Sequence, residues 1–388
     1  MLSGLDDVVA AETILSDVDG RAGRLIIRGH SLDDLVNSTY EDVLALLWQE
    51  LFTDSPSATD MVALLGNARQ TVFMHLKAAD DQLLRRPTLD AVRALMARLP
   101  DGDDVDSALQ LAAAPAVFTP GILHLQRGRE PIQPSARLSN AADMLHMLQG
   151  KLPTSEQSIA LDRYLVTASD HGLNASTFAA RVVASTRAGL ASATLAAMSA
   201  LKGPLHGGAP APALDMVFEI ATSENAEPFL RAKLDRGERL MGFGHRVYRV
   251  RDPRADAIKH AIQSLADVGQ VDPRRLELAE AVETAALELL ARKKPDRPLQ
   301  TNLEFYTALL LEALGFPREA FTCVFAAGRA GGWIAHAREQ ALNGRLIRPQ
   351  SRYVGPKPRA RSGHVPVASN ASATELRSSV RSSGIPDR

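Results

Sequence analysis

The sequence has very little cysteine and few aromatic side chains. Cys323 is the single cysteine among 388 residues, so the chain can form no internal disulfide. Such a chain suits a reducing compartment, and we expect the protein in the cytoplasm. Aromatic residues make up only 5% of the sequence. Alanine and leucine are abundant instead, which favours closely packed helices.

The chain also lacks a strong net charge. Its formal net charge is −1, so no overall field favours binding to nucleic acid or to a membrane surface. No charge-free apolar stretch of about 20 residues and no signal-type N-terminus stand out, so no membrane span is expected. The histidines include no pair with metal-ligand spacing, and no cysteine cluster occurs, so no metal site is expected.

The sequence patterns predict a mostly α-helical protein. Residues 8–30 are typical of a short hairpin with a turn at Asp19-Gly20, and strand signals elsewhere are scarce. Within the strongly helical stretch 155–202, the small residues from Ser176 to Leu201 predict one closely packed helix. Further helices are predicted at 209–222, 226–236, 253–267, 275–293, 301–314 and 329–343. Residues 355–388 are rich in Ser, Arg, Pro and Gly, which predicts a disordered tail.

One segment, residues 241–254, combines glycines, a histidine and several arginines. His245 follows Gly242 and Gly244, which would let backbone approach a ligand closely. The histidine is followed by Arg246, Arg249, Arg251 and Arg254. Guanidinium groups bind carboxylates and phosphates through paired hydrogen bonds, so the segment predicts a site for a small polyanion beside an imidazole.

Three other polar residues have settings that suit either chemistry or ordinary structure. His206 lies between glycines in a predicted turn before a helix, where free N–H groups favour developing negative charge, or it is an incidental connector residue. His171, next to Asp170, could bind a carboxylate or pack at a helix junction. Glu304 lies among apolar residues that should raise its pKa and suit a general base, unless it occupies an exposed helix position.

Two further arginines lie outside that segment. Arg329 lies in an otherwise uncharged stretch, so it needs an anionic partner, which either the protein or a ligand could supply. Arg348 lies in a short basic stretch near the end of the helical region. A surface basic patch is the alternative interpretation of that stretch.

Taken together, these segments resemble the citrate synthase family. The resemblance covers nearly the whole chain and rests on an ordered series of motifs: Asp-His-x-x-Asn-Ala-Ser, Gly-Pro-Leu-His-Gly-Gly, Gly-x-Gly-His-x-Val…Asp-Pro-Arg, Asn-x-acid-Phe-Tyr and Arg-x-x-Gly-Trp. It implies a two-domain, all-α fold with minimal β-structure near the N-terminus. The larger NADH-regulated bacterial members have an extra N-terminal domain, for which this chain begins too late, so the small homodimeric type is expected.

The resemblance also implies a domain division and a dicarboxylate site. Residues 1–206 and the return segment 316–354 would form a large domain, residues 207–315 a small mobile domain, and 355–388 the tail. Oxaloacetate would be bound by a histidine and arginine set: His171, His245, Arg254, Arg329 and, from the partner subunit, Arg348.

The catalytic group implied by the resemblance is His206, His245 and Glu304. His206 would hydrogen-bond the thioester oxygen of acetyl-CoA, and Glu304 would remove a proton from the acyl methyl group. CoA would lie against the backbone around Leu240, Met241, Gly242, Phe243 and Gly244, with Arg249 available for its phosphates. No permanently bound cofactor is implied, since acetyl-CoA or propionyl-CoA is a co-substrate.

Glu304 is where this sequence departs from the family pattern, because most members have aspartate there. The implied reaction joins acetyl-CoA to oxaloacetate and hydrolyses the thioester to give citrate and CoA. Two alternatives stay open: a 2-methylcitrate synthase that uses propionyl-CoA, and a weakly active or non-catalytic paralogue that binds CoA and a dicarboxylate.

Overall fold

The computed structural model describes residue 5 and residues 8–204, 206–207, 210–245, 247–295 and 299–356. Its helices and its one small sheet confirm the all-α prediction. Residues up to Ile347 belong to one compact unit, and the described residues from Arg348 onward belong to a second unit. Most of the predicted tail, from residue 357, lies outside the described residues. The predicted division into a large and a small domain stays a prediction.

Helices make up most of the fold. In chain order they are α1 (Leu32–Leu35), α2 (Tyr40–Trp48), α3 (Ala58–Phe73), α4 (Asp81–Leu84), α5 (Thr88–Met96), α6 (Val105–Gln126), α7 (Asn140–Gln149), α8 (Ser155–Ala168), α9 (Ala175–Ala184), α10 (Leu190–Leu201), α11 (Pro210–Ile220), α12 (Ala226–Asp235), α13 (Pro253–Asp267), α14 (Pro273–Lys293), α15 (Leu303–Ala313) and α16 (Phe321–Asn343). Many begin at a capping side chain; Ser31 and Thr39 accept hydrogen bonds from the first turns of α1 and α2. The helix predicted at 329–343 begins earlier, because the apolar residues from Phe321 belong to its buried first turns.

The N-terminal hairpin has the predicted turn. Strand β1 (Ser16–Asp19) pairs antiparallel with β2 (Arg24–Ile27), and β3 (His30–Ser31) adds to the other edge of β2. Leu25 and Ile27 alternate toward the core, where both are buried. The sheet therefore covers one edge of the helical core.

The long helices α6 and α16 pack against each other in the core, and α16 also contacts α8, α9 and α10. In length and apolar composition α6 could cross a membrane, which the sequence interpretation missed. In the structure, however, 83% of its most apolar stretch is buried inside the protein. Core helices of this kind have the same composition, and α6 packs here as one of them.

The prediction of one helix from Ser176 to Leu201 is wrong. The chain breaks between α9 and α10, and Gly189 adopts a left-handed φ of 92° there. Helix α10 is then capped from a distant segment. The Oδ1 atom of Asp101 accepts hydrogen bonds from the backbone N–H groups of Ala191 (2.9 Å) and Ser192 (3.1 Å). Local composition could not reveal this cap, because Asp101 is remote in sequence.

Two buried carboxyl groups lie near the start of α2. Asp162 accepts a hydrogen bond from the backbone N–H of Tyr40 at 3.0 Å, and Glu41 accepts one from the backbone N–H of Asn140 at 2.6 Å. Burial and the charge of Glu41 raise the pKa of Asp162 to about 8. Burial also raises the pKa of Glu41. The folded protein therefore favours the protonated form of Asp162, and its contribution to stability falls as pH rises from the unfolded pKa toward the folded one.

We expect Asp162→Asn to change how thermal stability depends on pH. The variant keeps an oxygen for the Tyr40 N–H but cannot ionise, so its Tm relative to the unmodified protein should be higher at pH 8 than at pH 5. Thermal unfolding at both pH values measures the difference. Exposed Asp235→Asn is the control and should show no such trend. An equal Tm difference for Asp162→Asn at the two pH values would contradict the prediction.

Candidate active site

The structure brings together three of the residues predicted to bind a dicarboxylate. His171 lies just after α8, His245 lies between α12 and α13, and Arg254 lies in the first turn of α13. The ring centroids of His171 and His245 are 5.4 Å apart. The Nη2 atom of Arg254 lies 3.3 Å from Nε2 of His245. Residues far apart in sequence thus lie next to one another.

Arg254 is held by the residue that caps its own helix. Asp252 is the N-cap of α13, and Pro253 is the first helical residue, where proline is favoured. The two carboxylate oxygens of Asp252 accept hydrogen bonds from Nε (3.0 Å) and Nη2 (2.8 Å) of Arg254. Burial alone would lower the pKa of Arg254, but Asp252 more than offsets burial, and the pKa is raised. The guanidinium is therefore charged and fixed in direction.

Arg329 has a different environment on α16. It is only 1% exposed, its Nε donates a hydrogen bond to the carbonyl oxygen of Ala168, and its guanidinium lies 5.0 Å from the ring centroid of Phe325. Among the described residues, it has no carboxylate within ion-pair distance. Burial lowers the pKa of Arg329 to about 10, with Asp170 acting in the opposite direction. A bound anion would supply the missing partner.

His206 lies in the turn between α10 and α11, as predicted. Its Nε2 atom is 2.8 Å from the hydroxyl oxygen of Ser176. The same hydroxyl oxygen accepts a hydrogen bond from Nε1 of Trp333 on α16 at 3.0 Å. One ring nitrogen of His206 is thereby anchored to α9 and α16, and Nδ1 is the nitrogen left for a ligand.

Glu304 lies in the first turn of α15. The cap residue Asn302 accepts a hydrogen bond from the backbone N–H of Glu304 at 3.1 Å. The residue as a whole is partly exposed, but its Oε2 atom is buried and has no hydrogen-bond partner among the described residues. Burial raises the pKa of Glu304, and the nearby charge of Arg254 partly counteracts this effect. These are the properties expected of a carboxylate that accepts a proton from carbon.

The three site histidines are neutral at neutral pH. Burial lowers the pKa of His171 well below its usual value, and the charges of Arg254 and Arg329 lower it further. Burial lowers the pKa of His206 to about 4, with a further contribution from Arg329. Burial and Arg254 lower the pKa of His245 to about 4, although Asp252 opposes them. Each ring therefore offers one N–H donor without carrying a charge.

The proton of neutral His245 can be assigned to one nitrogen. Its Nδ1 atom accepts hydrogen bonds from the backbone N–H groups of Val247 and Tyr248, both at 3.0 Å. The proton must then lie on Nε2, which faces Nη2 of Arg254. Nε2 of His245 and Nη2 of Arg254 are then both donors, 3.3 Å apart, and an oxygen atom of a ligand could accept from both.

Tyr248 is a site residue that the sequence interpretation missed. Its hydroxyl lies 3.2 Å from Nε2 of His171, and its ring centroid lies 4.8 Å from that of His245. Its ring also lies 5.9 Å from the guanidinium carbon of Arg254. The available signal was its place inside segment 241–254, which was interpreted only through its glycines, histidine and arginines.

A buried chain of polar groups behind His171 was also missed. Arg181 donates a hydrogen bond from Nε to Nδ1 of His336 at 3.0 Å, so the neutral ring carries its proton on Nε2. That nitrogen lies 3.1 Å from Oδ2 of Asp170, and Oδ1 of the same carboxylate accepts a hydrogen bond from the backbone N–H of His171 at 2.8 Å. The network fixes the backbone that presents His171. Sequence spacing offered no signal, because its members lie on different helices.

In the segment predicted to lie against CoA, the larger side chains are mostly buried, so a ligand there would contact mainly the backbone. Phe243 is buried against Phe305, with ring centroids 5.1 Å apart. Gly242 has a φ of 88°, and a Cβ atom there would lie 2.8 Å from Cβ of Phe305, so only glycine fits. Leu240 is also buried, while Met241 and Gly244 are partly exposed.

The remaining predicted arginines differ in their availability. Arg249 is exposed, and its backbone N–H donates to the carbonyl oxygen of Gly20 at 2.8 Å. Arg251 is already paired with two carboxylates. Arg348 is exposed and belongs to the second unit, so its predicted reach into a site stays a prediction. Arg246 lies outside the described residues. In the described part of the chain, no cluster of His, Cys, Asp and Glu is grouped to hold a metal ion.

Comparison with known proteins places these observations in a family. The model of the citrate synthase C-terminal domain matches residues 4–350. A citrate synthase of Haloferax volcanii is 36% identical over 91% of this chain and 96% of its own length. A citrate/2-methylcitrate synthase of Bacillus subtilis is 35% identical over 92% of this chain and 98% of its own length.

A solved structure agrees with these sequence matches. It is the ternary complex of carboxymethyl coenzyme A and oxaloacetate with the citrate synthase of Thermoplasma acidophilum. Its sequence is 27% identical, the match covers 94% of this chain and 97% of that chain, and the TM-score is 0.79. The family match therefore extends over nearly the whole chain in sequence and in fold, and the chain belongs to the citrate synthase family.

Proposed function

We propose that this protein condenses acetyl-CoA with oxaloacetate and hydrolyses the resulting thioester to release citrate and CoA. The observation that carries the proposal is the grouping of His171, His245 and Arg254, with the charge of Arg254 acting on Glu304, whose pKa is raised by burial. The arginines suit a dicarboxylate. Neutral imidazole donors and a carboxylate suit removal of a proton from carbon.

In the first step, Glu304 removes a proton from the acyl methyl group while His206 donates a hydrogen bond to the thioester oxygen. The methyl group is a very weak acid, so stabilisation of the enol oxygen must accompany proton removal. Ser176 holds the Nε2 side of His206 and leaves Nδ1 for the acyl group. For Nδ1 to carry the proton that it donates, the Ser176 hydroxyl must donate to Nε2 instead of to Oδ1 of Asn174, which it contacts at 2.8 Å. The buried Oε2 of Glu304 accepts the proton.

In the second step, the enol carbon attacks the ketone carbon of oxaloacetate. The ketone oxygen takes the Nε2 proton of His245 as the carbon–carbon bond forms, and Nη2 of Arg254, 3.3 Å from that nitrogen, offsets the developing negative charge. Arg329, with no carboxylate partner among the described residues, binds a substrate carboxylate together with His171. Water then cleaves the citryl thioester. Closure of residues 207–315 over the site would keep water out until the carbon–carbon bond has formed.

We also propose how CoA and a second subunit complete the site. The backbone from Leu240 to Gly244 lies against the CoA adenine, with Met241 and Gly244 as its partly exposed residues, and exposed Arg249 approaches the phosphates. The protein acts as a homodimer in the cytoplasm, and Arg348 reaches the substrate of the partner subunit. The acyl-CoA is a co-substrate, and no bound cofactor takes part.

The second candidate function is 2-methylcitrate synthesis from propionyl-CoA. The Bacillus subtilis relative is named for both reactions, which favours this candidate. One additional methyl group changes the free energy of binding by only about 1–3 kcal/mol, so the same site residues could serve either acyl group. Glu304 is one methylene longer than the aspartate that the family resemblance implies, so it would extend further toward the acyl methyl group, and we expect a preference for acetyl-CoA.

A thiol-release assay tests the reaction. Purified protein should release CoA when both acetyl-CoA and oxaloacetate are present, and not when either is omitted. Parallel measurements should give a higher kcat/KM for acetyl-CoA than for propionyl-CoA. Folded protein that releases no CoA above background from either thioester would overturn the proposed function and favour a non-catalytic paralogue. A higher kcat/KM for propionyl-CoA would establish the second candidate instead.

Replacing the proposed base tests the first step. Glu304→Gln should lower kcat roughly 10²–10⁴-fold, because the amide cannot accept the proton. The KM for oxaloacetate should change little, since Arg254 and Arg329 are untouched. Glu312→Gln is the control, because Glu312 lies on the same helix and pairs only with Arg275 at the surface. Unchanged activity of Glu304→Gln would remove Glu304 from the mechanism.

Removing the hydroxyl of Tyr248 tests the dicarboxylate pocket. Tyr248→Phe leaves Nε2 of His171 without its partner, so the KM for oxaloacetate should rise roughly five- to tenfold, as the loss of one hydrogen bond predicts. Tyr40→Phe is the control. It removes a buried hydroxyl that donates to Ala327 at 3.0 Å, and should lower Tm without changing that KM. Equal KM values for both variants would show that Tyr248 does not shape the pocket.

A further inference from the structure

Glu283 on α14 is a buried carboxylate with no role in the steps above. It is only 6% exposed. Its Oε1 atom accepts hydrogen bonds from the Thr301 hydroxyl at 2.5 Å and from Nη1 of Arg251 at 2.6 Å. Its Oε2 atom accepts one from the Tyr306 hydroxyl at 2.6 Å. One carboxylate therefore binds three donors from two other segments.

Those two segments carry the reacting groups of the site. Arg251 lies between His245 and Arg254, in the segment that binds the ketone and one carboxylate. Thr301 directly precedes the cap of α15, and Tyr306 lies on α15 itself, two residues after Glu304. Glu283 thus contacts the segment of the proton donor and the segment of the base at the same time.

Backbone hydrogen bonds join the same two segments directly. The N–H of Gly244 donates to the carbonyl oxygen of Gln300 at 2.7 Å, and the N–H of Asn302 donates to that of Gly242 at 3.0 Å. The side-chain amide of Asn302 donates to the carbonyl oxygen of Gly244 at 2.8 Å. These bonds hold the two segments side by side, and Glu283 adds side-chain hydrogen bonds to both segments.

The environment of Glu283 keeps it ionised. Burial by itself would raise its pKa, but the hydrogen bonds from Thr301, Tyr306 and Arg251 lower the pKa below its usual value. Hydrogen bonds to a charged acceptor are stronger than those between neutral groups. Arg251 also donates to Asp256 at 2.6 Å, so its guanidinium is engaged within the protein.

We infer that Glu283 is a positioning residue that sets the distance between the His245–Arg254 segment and Glu304. The inference rests on the proposed function, because it assigns those groups to one reaction. The proton donor acts on one substrate and the base on the other, so the two groups must be closely aligned for the substrates to react with each other. A displacement of about 1 Å can lower a rate roughly a hundredfold. Glu283 restrains that displacement without touching substrate.

Glu283→Gln is the direct test, because it keeps the side-chain shape but loses the charge and one acceptor oxygen. We expect kcat to fall roughly ten- to hundredfold with little change in the KM for oxaloacetate. Glu280→Gln is the matched control. Glu280 lies one turn earlier on α14 and pairs with Lys259 at 2.9 Å, while Lys259 also lies 3.9 Å from Oε2 of Glu283. The control therefore removes a neighbouring charge that shares Lys259, but it removes none of the hydrogen bonds between Glu283 and the two segments. Loss of the Glu280 charge should leave kcat unchanged.

A double variant separates positioning from general damage. With Glu304 already replaced by Gln, Glu283→Gln should lower the residual rate less than twofold, because alignment with an absent base no longer matters. A structural defect would lower the rate by the same factor in both backgrounds. That result, or a Glu283→Gln variant that behaves like Glu280→Gln, would overturn the inference.

Hydrogen exchange gives a readout that does not depend on turnover. The backbone N–H of Asp252 also donates to the carbonyl oxygen of Thr301 at 3.4 Å. In the ligand-free protein, Glu283→Gln should speed exchange at the amides of Gly244, Asp252 and Asn302 roughly five- to tenfold, while Glu280→Gln should not. Unchanged exchange at these amides would overturn the inference even if the reaction is as proposed. Faster exchange in a protein that releases no CoA would support the role of Glu283 in joining the segments and would remove only the proposed reaction.

Discussion

The guanidinium of Arg329 lies inside the protein, where its Nε donates to the Ala168 carbonyl and no carboxylate among the described residues pairs with it. A buried positive charge in that condition costs folding free energy, so it persists only where something else gains from it. Arg254 is buried nearby but has Asp252 as a bidentate partner. The charge of Arg254 is therefore neutralised within the protein, whereas the charge of Arg329 has no carboxylate partner among the described residues. Arg329 thus needs an anionic ligand. In the proposed reaction, a carboxylate of oxaloacetate supplies that ligand.

The same burial sets the ionisation of the other site residues. It lowers the pKa of His206 and His245 to about 4, so both rings donate hydrogen bonds as neutral groups. It raises the pKa of Glu304, which makes that carboxylate a better proton acceptor. One physical cause, removal from water, thus shifts the acid and the bases in the directions that carbon-acid chemistry needs. The arginine charges then tune each group further.

Alignment of these groups depends on contacts between segments that are distant in sequence. The His245–Arg254 segment and the start of α15 are joined by backbone hydrogen bonds and by Glu283. His206 is fixed through Ser176 and Trp333 on two other helices. Glu304, which is one methylene longer than the family's usual aspartate, lies within this framework, and its Oε2 atom is buried. The framework, rather than any single residue, decides where its carboxylate lies.

The sequence by itself determined the helical class, the turn at Asp19-Gly20, the span of α13 and the family of the chain, because periodicity, capping and motifs are local. It could not determine the break before α10, whose cap comes from Asp101, or the roles of Tyr248 and Glu283. This cap and these two roles depend on contacts between segments that are distant in sequence. The burial that shifts the pKa values also arises only when those segments pack together. The tertiary structure therefore decided the pKa values, the tautomer of His245 and the distances on which the chemistry rests.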